Sequence, residues 1–154
     1  MPLSPLPFGR SDGTPDPPTL LIRVLWVDSA PTPALWDLAD ALHRAHVLMD
    51  VTKDRASTRK RAGMYEYDLI VFDARAESGD RDDEEWLVEV VQQSPQVPVA
   101  IGSVAATYLG TVAAVKVGAF AQVETPQTVE AVLALVCQAK EWQAARRAGA
   151  GRVG

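Results

Sequence analysis

The chain is poor in several things, and each shortage narrows what it can be. It has one cysteine, Cys137, among 154 residues, so no internal disulfide framework can form and a thiolate zinc cluster is ruled out. No apolar run is long enough to span a bilayer. The first residues lack a basic head followed by an apolar stretch, so no secretory leader is read there and a cytoplasmic protein is expected. Positive charge is short as well: 15 Lys and Arg face 20 Asp and Glu, a formal net charge of -5. An acidic surface rewards neither nucleic acid nor an anionic membrane, so neither is expected as a partner. There is no Walker-type glycine loop, no nucleophile elbow and no helix-turn-helix unit. The histidines, His43 and His46, share one side of a predicted helix with no third ligand nearby, and are read as solvated.

What remains is an ordinary globular composition, 47% apolar and 23% charged, with length enough for one domain and its own core. The most informative stretch is Tyr67-Asp68-Leu69-Ile70-Val71-Phe72-Asp73. A continuous apolar run rich in β-branched and aromatic residues predicts a strand buried on both faces, as in a parallel sheet covered by helices. Its terminal acid, Asp73, then opens onto the crevice where open α/β sheets bind ligands.

Around that strand the chain alternates between short apolar runs and helical periodicity. Residues 1–19 carry Pro2, Pro5, Pro7, Pro15, Pro17 and Pro18, which predicts a mobile tail outside the domain. Leu20 to Val27 reads as the first strand, with Trp26 in the core. Thr32 then caps a helix that has Pro33 in its first turn and an inner face of Leu35, Leu38, Ala39 and Leu42. Val47 to Val51 is the second strand. The basic segment from Lys53 to Arg61 reads as a solvated loop and short helix ending at Gly63. After Asp73 an acidic loop runs to Asp83, where Asp82 and Glu85 have capping-box spacing ahead of a helix facing inward through Leu87, Val90 and Val91. Val97 to Ile101 and Ala119 to Val123 are the last two strands, separated by a predicted fourth helix, Ala105 to Val117. Thr125-Pro126 begins the last helix, whose face is Val129, Val132, Leu133 and Val136. Cys137 is expected to pack beside that face. Beyond Trp142, residues 143–154 read as a frayed tail, so the domain is placed at 20–142.

Five strands alternating with helices imply right-handed crossovers and a doubly wound parallel sheet with helices on both faces. Five strands favour the flavodoxin-like order 2-1-3-4-5. In that order strands one and three are neighbours, which brings Asp28, at the end of the first, beside Asp73. Ser103 and Thr125 open onto the same edge. Paired carboxylates at such a rim suit Mg²⁺, and a carboxylate there can attack a phosphoryl donor. Each acid and hydroxyl also has a plainer role: Asp28 as a turn residue, Ser103 and Thr125 as helix caps.

These residues resemble a response-regulator receiver domain over roughly residues 20–142. The marks are Val27-Asp28 after an apolar strand, Tyr67-Asp68-Leu69-Ile70 leading to Asp73, Val97-Pro98-Val99 leading to Ser103, and Gly118-Ala119 before the last strand. The resemblance implies that Asp73 matches the phosphoryl-accepting aspartate, Ser103 the hydroxyl that contacts the phosphoryl group, and Asp28 one of two metal-holding acids. The departures are equally specific. Asp28-Ser29 stands where receivers have two acids, Thr125 where they have a lysine, and Gln122 where they commonly have an aromatic switch residue. An aspartyl phosphate carries about -2 charge and needs cationic partners. Losing an acid and a lysine at roughly 1.5–3 kcal/mol each removes much of the ~5.5 kcal/mol that full switching takes. The chain is therefore read as an atypical or pseudo-receiver with a weakened Mg²⁺ site.

The expected role is signalling by protein contact, with no catalytic residue, and the expected partner is a sensor kinase or a downstream protein. By resemblance, the surface formed by the fourth helix, fifth strand and last helix is the contact or dimer face. Trp142, near the frayed end and less easily buried, is separately a candidate anchor for a partner or dimer contact. The rivals are a phosphorylation-independent adaptor and a small-molecule or nucleotide binder on the same flavodoxin-like fold. The latter fits poorly, because Asp28-Ser29-Ala30-Pro31-Thr32-Pro33 is acidic where a phosphate would need a glycine or hydroxyl cradle.

Overall fold

A computed structural model of the chain describes residues 21–74, 80–102, 120–124 and 128–152. Its elements are β1 (Ile22–Val27), α1 (Pro33–Arg44), β2 (Val47–Thr52), α2 (Arg55–Met64), β3 (Leu69–Phe72), α3 (Asp80–Gln93), β4 (Val99–Gly102), β5 (Ala121–Val123) and, in the numbering used here, α4 (Val129–Arg152). All pairings are parallel. The order β2-β1-β3-β4 is the one the alternation predicts, and Ala121–Val123 adds to the free side of β4 as a three-residue ladder.

The strand sequences explain why the sheet is central. β3 and β4 carry no charge and are buried at every position. Successive side chains point to opposite faces, so each strand feeds two cores. Val24, Trp26, Leu69, Val71 and Ala100 meet Leu35, Leu38 and Leu42 of α1 and Val132, Leu135, Val136 and Ala139 of α4. Leu25, Val27, Ile70, Phe72 and Ile101 meet Trp86, Leu87 and Val90 of α3 on the other face. Phe72 and Trp86 make an edge-to-face pair with centroids 5.5 Å apart. Burying such side chains contributes roughly 1.5–3 kcal/mol each.

The caps are local and legible. Thr32 Oγ1 accepts from Leu35 N at 3.4 Å, and Pro33 occupies the first helical position. At the other end of α1, His46 takes a φ of 65°, a left-handed conformation that favours glycine. Asp54 caps α2, accepting from Ser57 N at 2.7 Å, and that hydrogen bond holds its carboxyl below the usual carboxylate range.

Several boundaries differ from the sequence reading. β1 begins at Ile22, and Leu21 is exposed. Tyr67 and Asp68 precede β3 instead of joining it, because Asp68 turns back to accept from Arg23 N at 2.9 Å. The Tyr67 hydroxyl donates to Asp50 at 2.7 Å, and burial together with that bond pushes the phenol up from its ordinary value. α3 starts at Asp80, so Asp82 lies inside the helix and not at its cap. Acidic residues are favourable in a first turn, where the helix dipole is positive. α4 starts at Val129, capped by Thr128, whose Oγ1 accepts from Ala131 N at 3.1 Å. Thr125-Pro126, where the sequence places the start of this helix, lies outside the described residues.

α4 also runs through Arg152, where a frayed tail beyond Trp142 is expected from sequence. Ala, Gln and Arg are good helix formers. Gln143 Nε2 donates to Gln96 O at 2.7 Å, and Trp142 lies 5.8 Å from Phe120, so the helix is pinned beyond its last core residue. Cys137 is exposed, which corrects its expected packing: the inner face of α4 follows Val132, Leu135, Val136 and Ala139. The predicted tail at 1–19 and the predicted helix Ala105–Val117 lie outside the described residues. No helix among the described residues is long and apolar enough to cross a membrane.

Candidate functional site

The carboxyl edge of the sheet gathers the ends of β1, β2, β3 and β4. Register fixes what meets there. Val27 pairs with Phe72, and Phe72 with Ile101. The next residues along, Asp28, Asp73 and Gly102, therefore stand side by side. Asp73 N–H donates to Val27 O at 2.7 Å, and Asp28 N–H donates to Thr52 O at 2.9 Å. These bonds continue the ladders by one residue past the strands and clamp both acids at one lip.

The two carboxylates differ sharply. Asp28 is half-buried, and its Oδ1 accepts from Ala30 N at 2.9 Å, the short loop a turn aspartate makes with the backbone two residues on. Asp73 is 3% exposed and lies against Gly102. The expected neighbourhood is thus present, with one acid engaged in its own turn and the other tucked inward. Ser103 and Thr125 lie outside the described residues. Gln122 is the middle residue of β5, paired with Ile101, with two strands between it and the end of β1 at Asp28.

The floor beneath Asp28 is built by residues that periodicity does not single out. Thr52 and Thr58 are both buried, with hydroxyls 2.8 Å apart, and Thr58 Oγ1 donates to Asp54 O at 2.7 Å. A hydroxyl has one hydrogen, so Thr58 must accept from Thr52. The end of β2 is thereby buckled to the first turn of α2. The signal in the sequence is a polar residue at the end of an apolar strand and another one turn beyond an Asp cap. Gly102 is the other omission, and its signal is a glycine closing an otherwise aliphatic strand.

Carboxylate oxygens at this lip suit a hard cation such as Mg²⁺ in kind, though not in number. Among the described residues no group of three or more His, Cys, Asp and Glu side chains converges. Magnesium is commonly held by one or two carboxylates, with water and phosphate oxygens completing its shell. His43 and His46 are both exposed. A separate groove of about 1010 Å³ lies between α2 and α3, lined by Arg55, Arg59, Glu85, Val88, Glu89, Gln92 and Gln93. It includes neither Asp28 nor Asp73. Its charges are largely spent internally: Glu89 accepts from Arg59 at 2.7 Å and Arg55 at 2.6 Å, and these bonds hold its carboxyl below the usual range. The basic segment is therefore partly an inter-helix clasp and not only a solvated face.

With this geometry established, comparison with solved structures is decisive for the fold. The chain is similar to a response regulator receiver domain protein (CheY-like) from Methanospirillum hungatei JF-1, at 17% identity and a TM-score of 0.68, covering 82% of this chain and 98% of that one. The fold is receiver-like. A response regulator protein from Burkholderia pseudomallei, with a phosphorylated aspartic acid, a calcium ion and citrate, is similar at 22% identity and a TM-score of 0.61, covering 81% of this chain and 72% of that one. The chemotaxis protein CheY4 from Vibrio cholerae gives 17% identity and a TM-score of 0.63, covering 77% and 98% respectively. No family model and no curated protein matches the sequence. At these identities the receiver-like likeness is one of fold.

Proposed function

We propose that the chain is a response-regulator-like signalling module of the two-component type, with a degenerate acceptor site centred on Asp73, that works by protein–protein contact and not as a catalyst. The observation that carries this is the pairing of Asp73 with Asp28 at the carboxyl lip of a receiver-like sheet. A phosphoryl donor entering there meets the Asp73 carboxylate: one of its oxygens attacks phosphorus, the bond from phosphorus to the leaving oxygen breaks, and an aspartyl phosphate results. Asp28 and Asp73 would hold a Mg²⁺, which supplies positive charge against the phosphoryl oxygens. Ser29 in place of a second acid and Thr125 in place of a lysine weaken that support, so the adduct is expected to form slowly or be short-lived. A sensor kinase would supply the phosphoryl group, and a downstream protein or a second copy would read the result at the surface of β5, α4 and the segment between β4 and β5.

A phosphorylation-independent adaptor is the second reading. It is favoured by the 3% exposure of Asp73 and by the turn that engages Asp28. Incubation with acetyl phosphate and Mg²⁺ followed by intact-mass measurement separates the two. An adduct present in the native protein and lost in Asp73→Asn supports the acceptor. No adduct under any condition leaves the adaptor.

A further inference from the structure

Asp73 and Gly102 are locked together more closely than neighbouring strands require. A Cβ on residue 102 would stand inside 3.0 Å of three Asp73 atoms, Cβ, Cγ and Oδ1. Two of these, Cγ and Oδ1, belong to the part of the side chain that swings about χ1, while Cβ is fixed by the backbone. The carboxyl group thus occupies the volume that any other residue at 102 would fill, and Asp73 is 3% exposed. Glycine at the end of a buried strand is costly in entropy and forgoes packing, so close approach of another group is its usual reason.

We propose that Gly102 forms a berth for the Asp73 carboxyl and so sets how much of that acid is presented to reagents in the crevice. Gly102 is a positioning residue. In the berthed rotamer the carboxylate is withdrawn, and it must turn out about χ1 before an oxygen can reach an incoming electrophile. A methyl group at 102 closes the berth: turning about χ1 carries Cγ and Oδ1 outward, and a small shift of the two strand ends relieves the fixed Cβ. The functional meaning of the berth rests on the acceptor reading above; the berth itself does not.

The test is carboxyl labelling of the full chain with a water-soluble carbodiimide and glycine ethyl ester, followed by peptide mapping. The carboxylate adds to the carbodiimide, the amine displaces the urea, and an amide of known mass marks each reacted acid. Exposed Asp37 is the internal reference. In the native protein Asp73 is expected to react about tenfold more slowly than Asp37, the ratio a 1.4 kcal/mol preference for the berth gives. In Gly102→Ala its rate rises several-fold towards that of Asp37, whereas Ile101→Val, a core truncation one residue away, leaves it unchanged. Should Gly102→Ala not fold, Asp73→Glu is the second variant: its extra methylene carries the carboxylate past the berth, and residue 73 labels at the exposed rate.

Labelling of native Asp73 as fast as Asp37, or no gain in either variant, overturns the berth whether or not acetyl phosphate gives an adduct. A gain in labelling with no adduct in either native protein or Gly102→Ala upholds the berth and removes the acceptor reading instead.

Discussion

Replacing Thr58 by Val is the sharpest test of how the end of β2 is held. The change is close to isosteric, so packing is nearly conserved and the hydroxyl alone is removed. Thr58 is 1% exposed and Thr52 3%, with their oxygens 2.8 Å apart. Thr58 gives its hydrogen to Asp54 O, so Thr52 is the donor in the pair. Thr58→Val therefore strands a buried donor on Thr52, which costs about 1–3 kcal/mol. Thr52→Val leaves Thr58 still donating to Asp54 and removes only one ordinary bond, about 0.5–1.5 kcal/mol. The double variant replaces both partners by apolar groups of the same shape, and is expected to lose less than the sum of the single changes, with a coupling of about 0.5–3 kcal/mol. Urea unfolding of the four proteins measures this directly: at a slope of roughly 1–3 kcal/mol per molar, a 2 kcal/mol loss moves the midpoint by about 1 M. Equal costs for the single variants, or strict additivity, would refute the donor order and the buckle with it.

Three further outcomes follow from other contacts. His46→Gly should stabilise the protein by about 0.5–1 kcal/mol, since glycine takes the φ of 65° without strain, and a lower thermal midpoint would contradict it. Glu89→Gln should cost less than about 1 kcal/mol, because the Arg55 and Arg59 side chains are 40% and 59% exposed and solvent screens both pairs. The folded Glu89 carboxyl is held below its unfolded value, so its contribution is full above the unfolded pKa and fades as pH falls through the folded one. The gap between native and variant midpoints should therefore be widest at neutral pH and close in acid. Tyr67→Phe should cost about 1.5–3 kcal/mol for a partly buried bond to a carboxylate, by chemical denaturation at pH 7. The raised Tyr67 phenol contributes below its unfolded pKa and loses that contribution as pH rises through the folded value, so the deficit should shrink only in strong alkali.

Much of this was legible from pattern because it rests on short-range rules. Thr32-Pro33 announces a helix start, and uninterrupted runs such as Leu69–Phe72 announce strands covered on both sides. The alternation of the two then fixes which ends meet, and with them the pairing of Asp28 and Asp73. What pattern misses depends on partners far apart in sequence. Glu89 answers Arg55 and Arg59 across 34 and 30 residues, and no local rule connects them. Gly102 looks like a plain strand exit until register sets it beside Asp73. Periodicity also misjudged α4: Cys137 falls near the apolar stripe yet faces outward, and the Ala-rich end gave no sign of the Gln143–Gln96 bond.

α4 has a mechanical consequence. At 24 residues and 1.5 Å per residue it is about 36 Å long, yet its buried side chains, Val132, Leu135, Val136 and Ala139, all sit in the first half. Residues 144–149 are exposed, and Gly149 has open space around it. Starting a helix is expensive and lengthening one is cheap. The distal turns are therefore a cantilever whose order is borrowed from the docked half. Loosening Leu135 or Val136 at the root would slacken the whole beam, while trimming its tip would leave the sheet untouched.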